Sequence, residues 1–163
     1  MLQEDKELLL KDLCARLPYG VKGRVKVDTV VPNRYDIDGF PVETTFDANV
    51  VLTRIDVNTF EIFVDSNTGN EDLDNYIWES QTYGSLWTIE EFEPYLRPMP
   101  NMTDEEKLEY LTVTRLQYNE NEEPYRELTI EAVDWLNSHH FDYRGLIPMG
   151  LALEAPADMY KTE

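Results

Sequence analysis

The sequence is poor in cysteine, in basic residues and in long apolar runs. Its single cysteine, Cys14, excludes an internal disulfide and is typical of a reducing compartment, which predicts a cytoplasmic protein. No run approaches the roughly 18 consecutive apolar residues of a membrane helix. The N-terminus, Met1-Leu2-Gln3-Glu4-Asp5-Lys6, is acidic and lacks the features of an export signal. The sequence therefore predicts a soluble protein with no membrane association.

The motifs of several catalytic and cofactor-binding classes are also missing. The chain contains no HExxH, Walker A, GxSxG, GxGxxG or CxxC pattern. Residues 65–72 look like a calcium loop, but an EF-hand needs glycine at its sixth position and glutamate at its twelfth. Here Gly69 falls fifth and Tyr76 twelfth. The sequence therefore predicts a polar hairpin loop at this segment, and neither a metal site nor a cofactor.

What the chain does contain is enough apolar and aromatic material for a folded core. The apolar fraction is 42% of 163 residues, and 10 Tyr, 6 Phe and 3 Trp are present. The formal charge of −19 is unevenly spread: residues 1–34 have seven basic against five acidic residues, and residues 35–163 have seven against 28. Such a field repels nucleic-acid phosphates and suits solubility or a basic protein partner.

Periodicity in the first half predicts a helix followed by antiparallel strands. Leu9, Leu13 and Leu17 recur at helical spacing, and Cys14 falls on the same stripe, where we expect a buried, inert thiol. Residues 21–28 alternate strictly, so the valines face one side and a basic stripe faces the other, paired to carboxylates of a neighbouring strand. Residues 46–55 and 59–64 predict further strands, with tight reversals at residues 38–39 and 56–58.

The second half predicts helices with recognisable starts. Thr88 and Thr103 each begin a capping box, completed by Glu91 and Glu106, and a helix that begins near Thr129 closes the chain. The predicted fold is α+β: an N-terminal helix, an antiparallel meander or small curled sheet or barrel, and C-terminal helices packed on it. We expect one domain over residues 1–163. The alternative is a subdivision into 1–93 and 101–163, linked by an extended segment at 94–100.

Two groups of residues are candidates for a functional site. A histidine–arginine cluster near the C-terminus could supply a base, a clamp and an orienting carboxylate, and it comprises His139, His140, Asp142 and Arg144, with Asp134 one turn earlier and Tyr143 beside them. The competing interpretation is a helix C-cap with buried aromatic residues, which we favour. An aromatic group could instead form a partner-binding surface, and it comprises Tyr76, Trp78, Tyr83 and Trp87.

Three stretches of the sequence together resemble a known family. They are LCARLPYGVK at residues 13–22, PYLRPM at residues 94–99, and DWLN with HHFDYRGLIPMGLALEAP at residues 134–137 and 139–156. The chain resembles a family of uncharacterised small acidic proteins from gut Bacteroides-type bacteria and their phages. The resemblance implies a cytoplasmic, bacterial or phage-encoded protein with a constant scaffold and a variable β-region near residues 28–85. It brings no assigned activity with it.

These observations leave three hypotheses about function. The first, which we favour, is a non-enzymatic interaction or regulatory protein that presents its strand region and aromatic residues to a protein partner. The second is an acidic DNA mimic that inhibits a host defence enzyme, because residues 35–163 carry a net charge of −21. The third is a small hydrolase that uses the cluster between His139 and Arg144. The oligomeric state and the identity of any partner are not determined by the sequence.

Overall fold

The computed structural model describes residues 1–35, 41–66, 69–82 and 87–160. The helices are α1 (Gln3–Arg16), α2 (Glu71–Gln81), α3 (Asp104–Val113) and α4 (Ile130–Ser138), with 3-10 turns at Leu17–Tyr19, Ile89–Glu91 and Met99–Asn101. The strands are β1 (Lys22–Tyr35), β2 (Pro41–Ile55), β3 (Glu61–Ser66), β4 (Trp87–Thr88), β5 (Glu93–Leu96), β6 (Arg115–Tyr118), β7 (Pro124–Glu127) and β8 (Leu153–Glu154). The α+β class is confirmed. The predicted reversal at residues 38–39 lies outside the described residues.

The chain divides into two compact units, Met1–Pro94 and Tyr95–Glu163. In the first unit the strands β1, β2, β3 and β4 follow one another as antiparallel neighbours, which is the predicted meander. Strand β5 contains the boundary, because its first two residues pair with β1 and its last two pair with β8. The predicted subdivision around residues 94–100 stays a prediction. No helix within the described ranges has the length and apolar character to cross a membrane.

Helix α1 buries Leu9 and Leu13 of the predicted stripe, but it adds two charged side chains to them and leaves Cys14 out. The buried side chains are Leu9, Asp12, Leu13 and Arg16, whereas Cys14 is exposed, so the prediction of a buried thiol is wrong. Charge neutralisation is the physical reason. The Arg16 guanidinium donates two hydrogen bonds to the Asp12 carboxylate, at 2.7 and 3.1 Å, and this pair can then occupy the interior. Partial desolvation raises the pKa of the Cys14 thiol, which keeps it protonated at neutral pH.

Strand β1 has the alternation that the sequence predicts. Val21, just before it, and Val25 and Val27 within it are buried, and the basic side chains lie between them. Arg24 binds carboxylates of the two flanking strands, Glu93 at 2.7 Å and Asp47 at 3.7 Å, which confirms the predicted pairing for this residue.

Gly23 continues the inward face of β1 and allows a close approach between two strands. A Cβ atom there would overlap the ring of Phe92 and lie 2.9 Å from the backbone oxygen of Glu93. Glycine is therefore required by packing at this position, since no side chain fits between β1 and the strand that follows Phe92.

The remaining elements include one corrected prediction and two features that the sequence analysis did not predict. Residues 71–81 form helix α2, with Asn70 as its N-cap, so the polar hairpin loop predicted over residues 65–72 is wrong at its end. Helix α3 starts at its predicted capping box but ends at Val113, where a strand was missed. Over residues 146–160 the tail is mostly turned and has a short strand at Leu153–Glu154, and Leu146 is buried.

Candidate functional site

The segment from His139 to Arg144 begins where α4 ends, and its backbone closes that helix. The amide of Phe141 donates to the Leu136 carbonyl at 3.0 Å, and the amide of His140 donates to the Asn137 carbonyl at 3.1 Å. His140 has a φ of 58°. These features define a Schellman motif, whose left-handed position is usually glycine. The interpretation of this segment as a helix C-cap is therefore confirmed for the backbone.

The side chain of His139 is used in the same cap. Its Nδ1 lies 2.8 Å from the Trp135 carbonyl oxygen and 3.2 Å from the Ser138 hydroxyl, and its ring stacks on the Trp135 indole at 4.0 Å between centroids. Because a carbonyl only accepts, Nδ1 carries the proton in its bond to Trp135. The imidazole therefore adds a further donor to a carbonyl in the last turn of α4, which also accepts from the His139 amide at 3.1 Å and from the Ser138 hydroxyl at 2.8 Å.

His140 is buried and turns to another aromatic ring. Its imidazole stacks on Tyr160 with 3.8 Å between centroids, and the Tyr160 hydroxyl donates to the Tyr95 carbonyl at 2.9 Å. The two adjacent histidines are thus held against different partners, His139 against Trp135 and His140 against Tyr160. This arrangement does not bring both imidazoles to one ligand.

Asp142 organises the loop that follows the cap. Its two carboxylate oxygens accept hydrogen bonds from the amides of Leu146 at 2.7 Å and Ile147 at 2.9 Å, and Gly145, with a φ of 73°, permits the turn between them. The Arg144 guanidinium lies over the Tyr143 ring, 4.8 Å from its centroid. The candidate catalytic carboxylate is therefore committed to backbone amides.

Arg97 is a central residue of this region that the sequence analysis missed. Its guanidinium binds both carboxylate oxygens of Glu106, at 2.7 and 2.9 Å, and lies 4.2 Å from the centroid of the Phe141 ring. Its backbone accepts from the Asp142 amide and donates to the His140 carbonyl, each at 2.8 Å. No local pattern reveals the contacts between Arg97 and the cap, because the two are more than forty residues apart in the sequence.

Glu106 is shared between Arg97 and the start of α3. Its carboxylate also accepts from the Thr103 amide at 2.8 Å, which completes the predicted capping box. Burial by itself would raise the pKa of Glu106. The hydrogen bond from Arg97, the Thr103 amide and the charges of Arg97 and His139 outweigh burial and lower that pKa. Glu106 is therefore an ionised structural carboxylate at neutral pH.

The contacts of the segment from His139 to Arg144 support a structural role better than a catalytic one. Over the part of the chain that the structure describes, no cluster of three or more His, Cys, Asp or Glu side chains could hold a metal ion. His139 is bonded to the Trp135 carbonyl, and Asp142 is bonded to loop amides. The hydrolase hypothesis stays a prediction, without a converging set of side chains to support it.

The aromatic candidates do not form one surface. Trp87 is only 5% exposed and its indole N–H donates to the Lys26 carbonyl at 2.7 Å, so its assignment to a partner-binding surface is wrong. The aromatic ring is instead needed to fill the core of the first unit. Tyr76 and Trp78 are exposed on α2, Trp78 by 69%, and Tyr83 lies outside the described residues.

An open depression of about 370 Å³ lies at the turn between β2 and β3. The Arg54 guanidinium covers the ring of Phe63 there at 3.6 Å, and the Asp56 carboxylate accepts from the amides of Asn58 and Thr59. These amides lower the pKa of Asp56. The Asp56 carboxylate is thus bonded within the turn, which argues against a ligand site in this depression.

The hairpin formed by β6 and β7 is the most exposed regular structure of the second unit. Every residue of its two strands is exposed except Gln117, which is half-buried. Residues that pair across the two strands lie on the same face, and one face carries Leu116, Tyr118, Pro124 and Arg126. We call these four residues the hairpin face.

The hairpin face is joined to the end of α3. The Arg126 guanidinium donates to the Leu111 carbonyl and to the Thr114 hydroxyl, each at 3.3 Å. Leu108 and Leu111 are exposed one turn apart on α3. The hairpin tip between the strands is acidic and contains Glu120, Glu122 and Glu123. The second unit therefore exposes apolar side chains beside a negatively charged loop.

The sequence analysis missed this surface because it did not identify strands β6 and β7. The signal that could have found it is the alternation of polar and apolar residues at positions 115–118, followed by a polar turn at 119–123. Local preference was ambiguous here, since leucine, arginine and glutamine also favour helices.

Comparisons with protein-family models, with curated proteins and with solved structures gave no match to the chain. The resemblance to the uncharacterised family stays a prediction.

Proposed function

We propose that the protein is a non-enzymatic interaction module that binds a protein partner through the hairpin face and the neighbouring side of α3. The single observation that carries this proposal is a two-stranded hairpin whose exposed strands present apolar side chains. Two strands alone are marginally stable in water. Contiguous exposed apolar side chains are typical of interaction sites in soluble proteins. A partner that covers Leu116 and Tyr118 would stabilise the hairpin and would also remove these apolar side chains from water.

The charge of the chain favours a basic partner. Residues 95–163 contain six basic and 14 acidic residues, and three of the acidic ones lie at the hairpin tip. Opposite charge speeds association and suppresses binding of acidic partners. The resemblance adds the proposal that the protein is bacterial or phage-encoded, and therefore that its partner is a bacterial protein.

The test compares two matched surface variants of the tagged full-length chain in capture from a bacterial lysate. One variant carries Leu116→Ser with Tyr118→Ser, and the control carries Trp78→Ser on α2. We expect the wild type and the control to retain the same protein and the double variant to lose it, with all three equally folded by circular dichroism. Capture that depends on Trp78 instead would move the binding surface to α2 and contradict the proposal.

The same experiment separates the DNA-mimic alternative. A mimic occupies the DNA site of its target, so duplex DNA should displace the captured protein at low salt. A partner held by the hairpin face should stay bound when DNA is added.

A further inference from the structure

A hydrogen bond at the turn of the β6–β7 hairpin shows which of its cross-strand pairs are hydrogen-bonded and which are not. The amide of Asn119 donates to the Glu123 carbonyl at 3.0 Å, which makes these two residues a hydrogen-bonded pair of the antiparallel ladder. Hydrogen-bonded and non-hydrogen-bonded pairs alternate along such a ladder. The pairs that are not hydrogen-bonded are therefore Tyr118 with Pro124 and Leu116 with Arg126.

Residues of the non-hydrogen-bonded pairs point their backbone N–H and C=O groups away from the partner strand. On β6 these are the groups of Leu116 and Tyr118. On β7 the corresponding residue Pro124 has no N–H, which weakens that edge as a template for pairing. Among the residues that the structure describes, the hairpin is a two-stranded sheet and no third strand pairs with β6. The edge of β6 is thus the better template.

We propose that β6 binds an extended segment of a partner protein as a third strand, and that this segment carries lysine or arginine. The proposal rests on the proposed function and specifies the partner segment for the same site. Strand addition of this kind obtains affinity from main-chain hydrogen bonds and specificity from alternate side chains. The outward groups of Leu116 and Tyr118 supply two donors and two acceptors on one edge.

Charge complementarity selects a basic segment. Glu120, Glu122 and Glu123 lie at the end of the hairpin that follows Tyr118, and a strand laid along β6 runs towards them. Tyr118 is 63% exposed, and its ring offers a face for a cationic side chain. A second copy of the chain would bring an identical acidic tip and a further charge of −19 to the same edge, which disfavours self-pairing.

The first test uses a peptide in which lysine alternates with valine, with a glutamate–valine peptide of the same length as control. Backbone amide exchange of the full chain is measured by NMR with each peptide. We expect the lysine peptide to slow exchange of the Leu116 and Tyr118 amides by about tenfold or more, which one added hydrogen bond can supply. The amide of Gln117, which already faces β7, should not change. Slowing at Gln117 alone, or equal effects of both peptides, would overturn the proposal.

The second test removes one outward donor. Leu116→Pro deletes the outward N–H without removing a bond to β7, whereas Leu116→Ala shortens the same side chain and keeps that donor. We expect Leu116→Pro to weaken binding of the lysine peptide by about tenfold relative to Leu116→Ala. Equal binding by the two variants would show that no main-chain bond forms at Leu116.

Failure of strand addition can be distinguished from failure of the proposed function. A partner captured from lysate through Leu116 and Tyr118 but bound equally by Leu116→Pro and Leu116→Ala would keep the proposed function and exclude the edge mechanism. Sedimentation of the chain alone provides the remaining outcome. A dimer that dissociates in Leu116→Pro would assign the edge to a second copy and contradict a basic partner segment.

Discussion

At the scale of single residues, His140 is the most constrained position of the candidate cluster. It occupies the left-handed position of the α4 cap, with a φ of 58°, and its ring stacks on Tyr160. A residue with a Cβ atom adopts this conformation at a cost of roughly 1–2 kcal/mol. The stacking and burial of the imidazole offset that cost, so His140 stabilises the cap through its side chain and destabilises it through its backbone.

Two substitutions at His140 separate these effects. Both His140→Gly and His140→Ala remove the stacked ring, but only glycine removes the backbone strain. We expect His140→Gly to be more stable than His140→Ala by about 1 kcal/mol, measured by urea unfolding. An alanine variant as stable as the glycine variant would show that the left-handed conformation does not persist there.

The ionisation of Glu106 makes the stability of the fold depend on pH in the acidic range. Its folded-state pKa lies below the ordinary glutamate value, so it contributes stability that is present above that ordinary value. This contribution is lost as the pH falls through the lowered folded-state pKa, because the protonated carboxyl no longer attracts Arg97.

The matched variant is Glu106→Gln, since glutamine keeps the capping box and loses the charge. We expect the variant to be less stable than the wild type by about 1.5–3 kcal/mol at neutral pH, and the difference to shrink towards acidic pH. Urea unfolding at a series of pH values measures both quantities. A difference that does not depend on pH would exclude a charged Arg97–Glu106 pair.

At the scale of elements, α2 covers part of β3 through one amide side chain. Gln81 accepts from the Val64 amide at 2.7 Å and donates to the Val64 carbonyl at 2.9 Å. Among the residues that the structure describes, β4 pairs with β3 at Glu61 and Ile62. The side chain of Gln81 therefore takes the place of a neighbouring strand at Val64, which protects an edge that could otherwise pair with another chain.

This role predicts the effect of shortening Gln81. Gln81→Ala leaves the two partly buried groups of Val64 without their bonds, and we expect a loss of about 1–3 kcal/mol of unfolding free energy. Exchange of the Val64 amide should accelerate in the same variant. Glu79→Ala, an exposed change on the same helix, is the control. Equal stability of the two variants would show that Gln81 is dispensable.

At the scale of the whole molecule, negative charge is spread over both units. Residues 1–94 have eight basic against 19 acidic residues, and residues 95–163 have six against 14. The basic stripe on β1 does not offset this field for a polyanion. Arg24, at its centre, is already bound by Glu93 and Asp47. We therefore expect repulsion to govern the encounter with a nucleic acid.

We expect no measurable binding of the full chain to a labelled DNA duplex, even at low salt, where electrostatic attraction is strongest. Fluorescence anisotropy of the duplex over a titration with the protein measures this. The lysine–valine peptide should bind to the protein under the same conditions, and this binding should weaken as salt is added. Binding to the duplex that salt abolishes would show that the basic stripe on β1 acts alone.

Much of the fold follows from local patterns, whereas little of the candidate site does. The capping boxes at Thr103 and Thr88, the alternation of residues 21–28 and the start of α4 near Thr129 were predicted and are present. The cap at His139 was predicted as one of two interpretations. The contacts of Arg97 with the α4 cap and the burial of Trp87 were not, because both depend on contacts between distant segments.

The sequence by itself determined the α+β class, the starts of α3 and α4, the alternation of β1 and the acidic field, because each depends on neighbouring residues or on composition. Only the tertiary structure decided which polar groups are bonded within the protein and which surfaces stay exposed. Asp12 and Arg16 neutralise each other inside the first unit, and Asp142 binds loop amides in the second. Exposure of Leu116 and Tyr118 is likewise a property of packing, since the same residues could equally have faced a core.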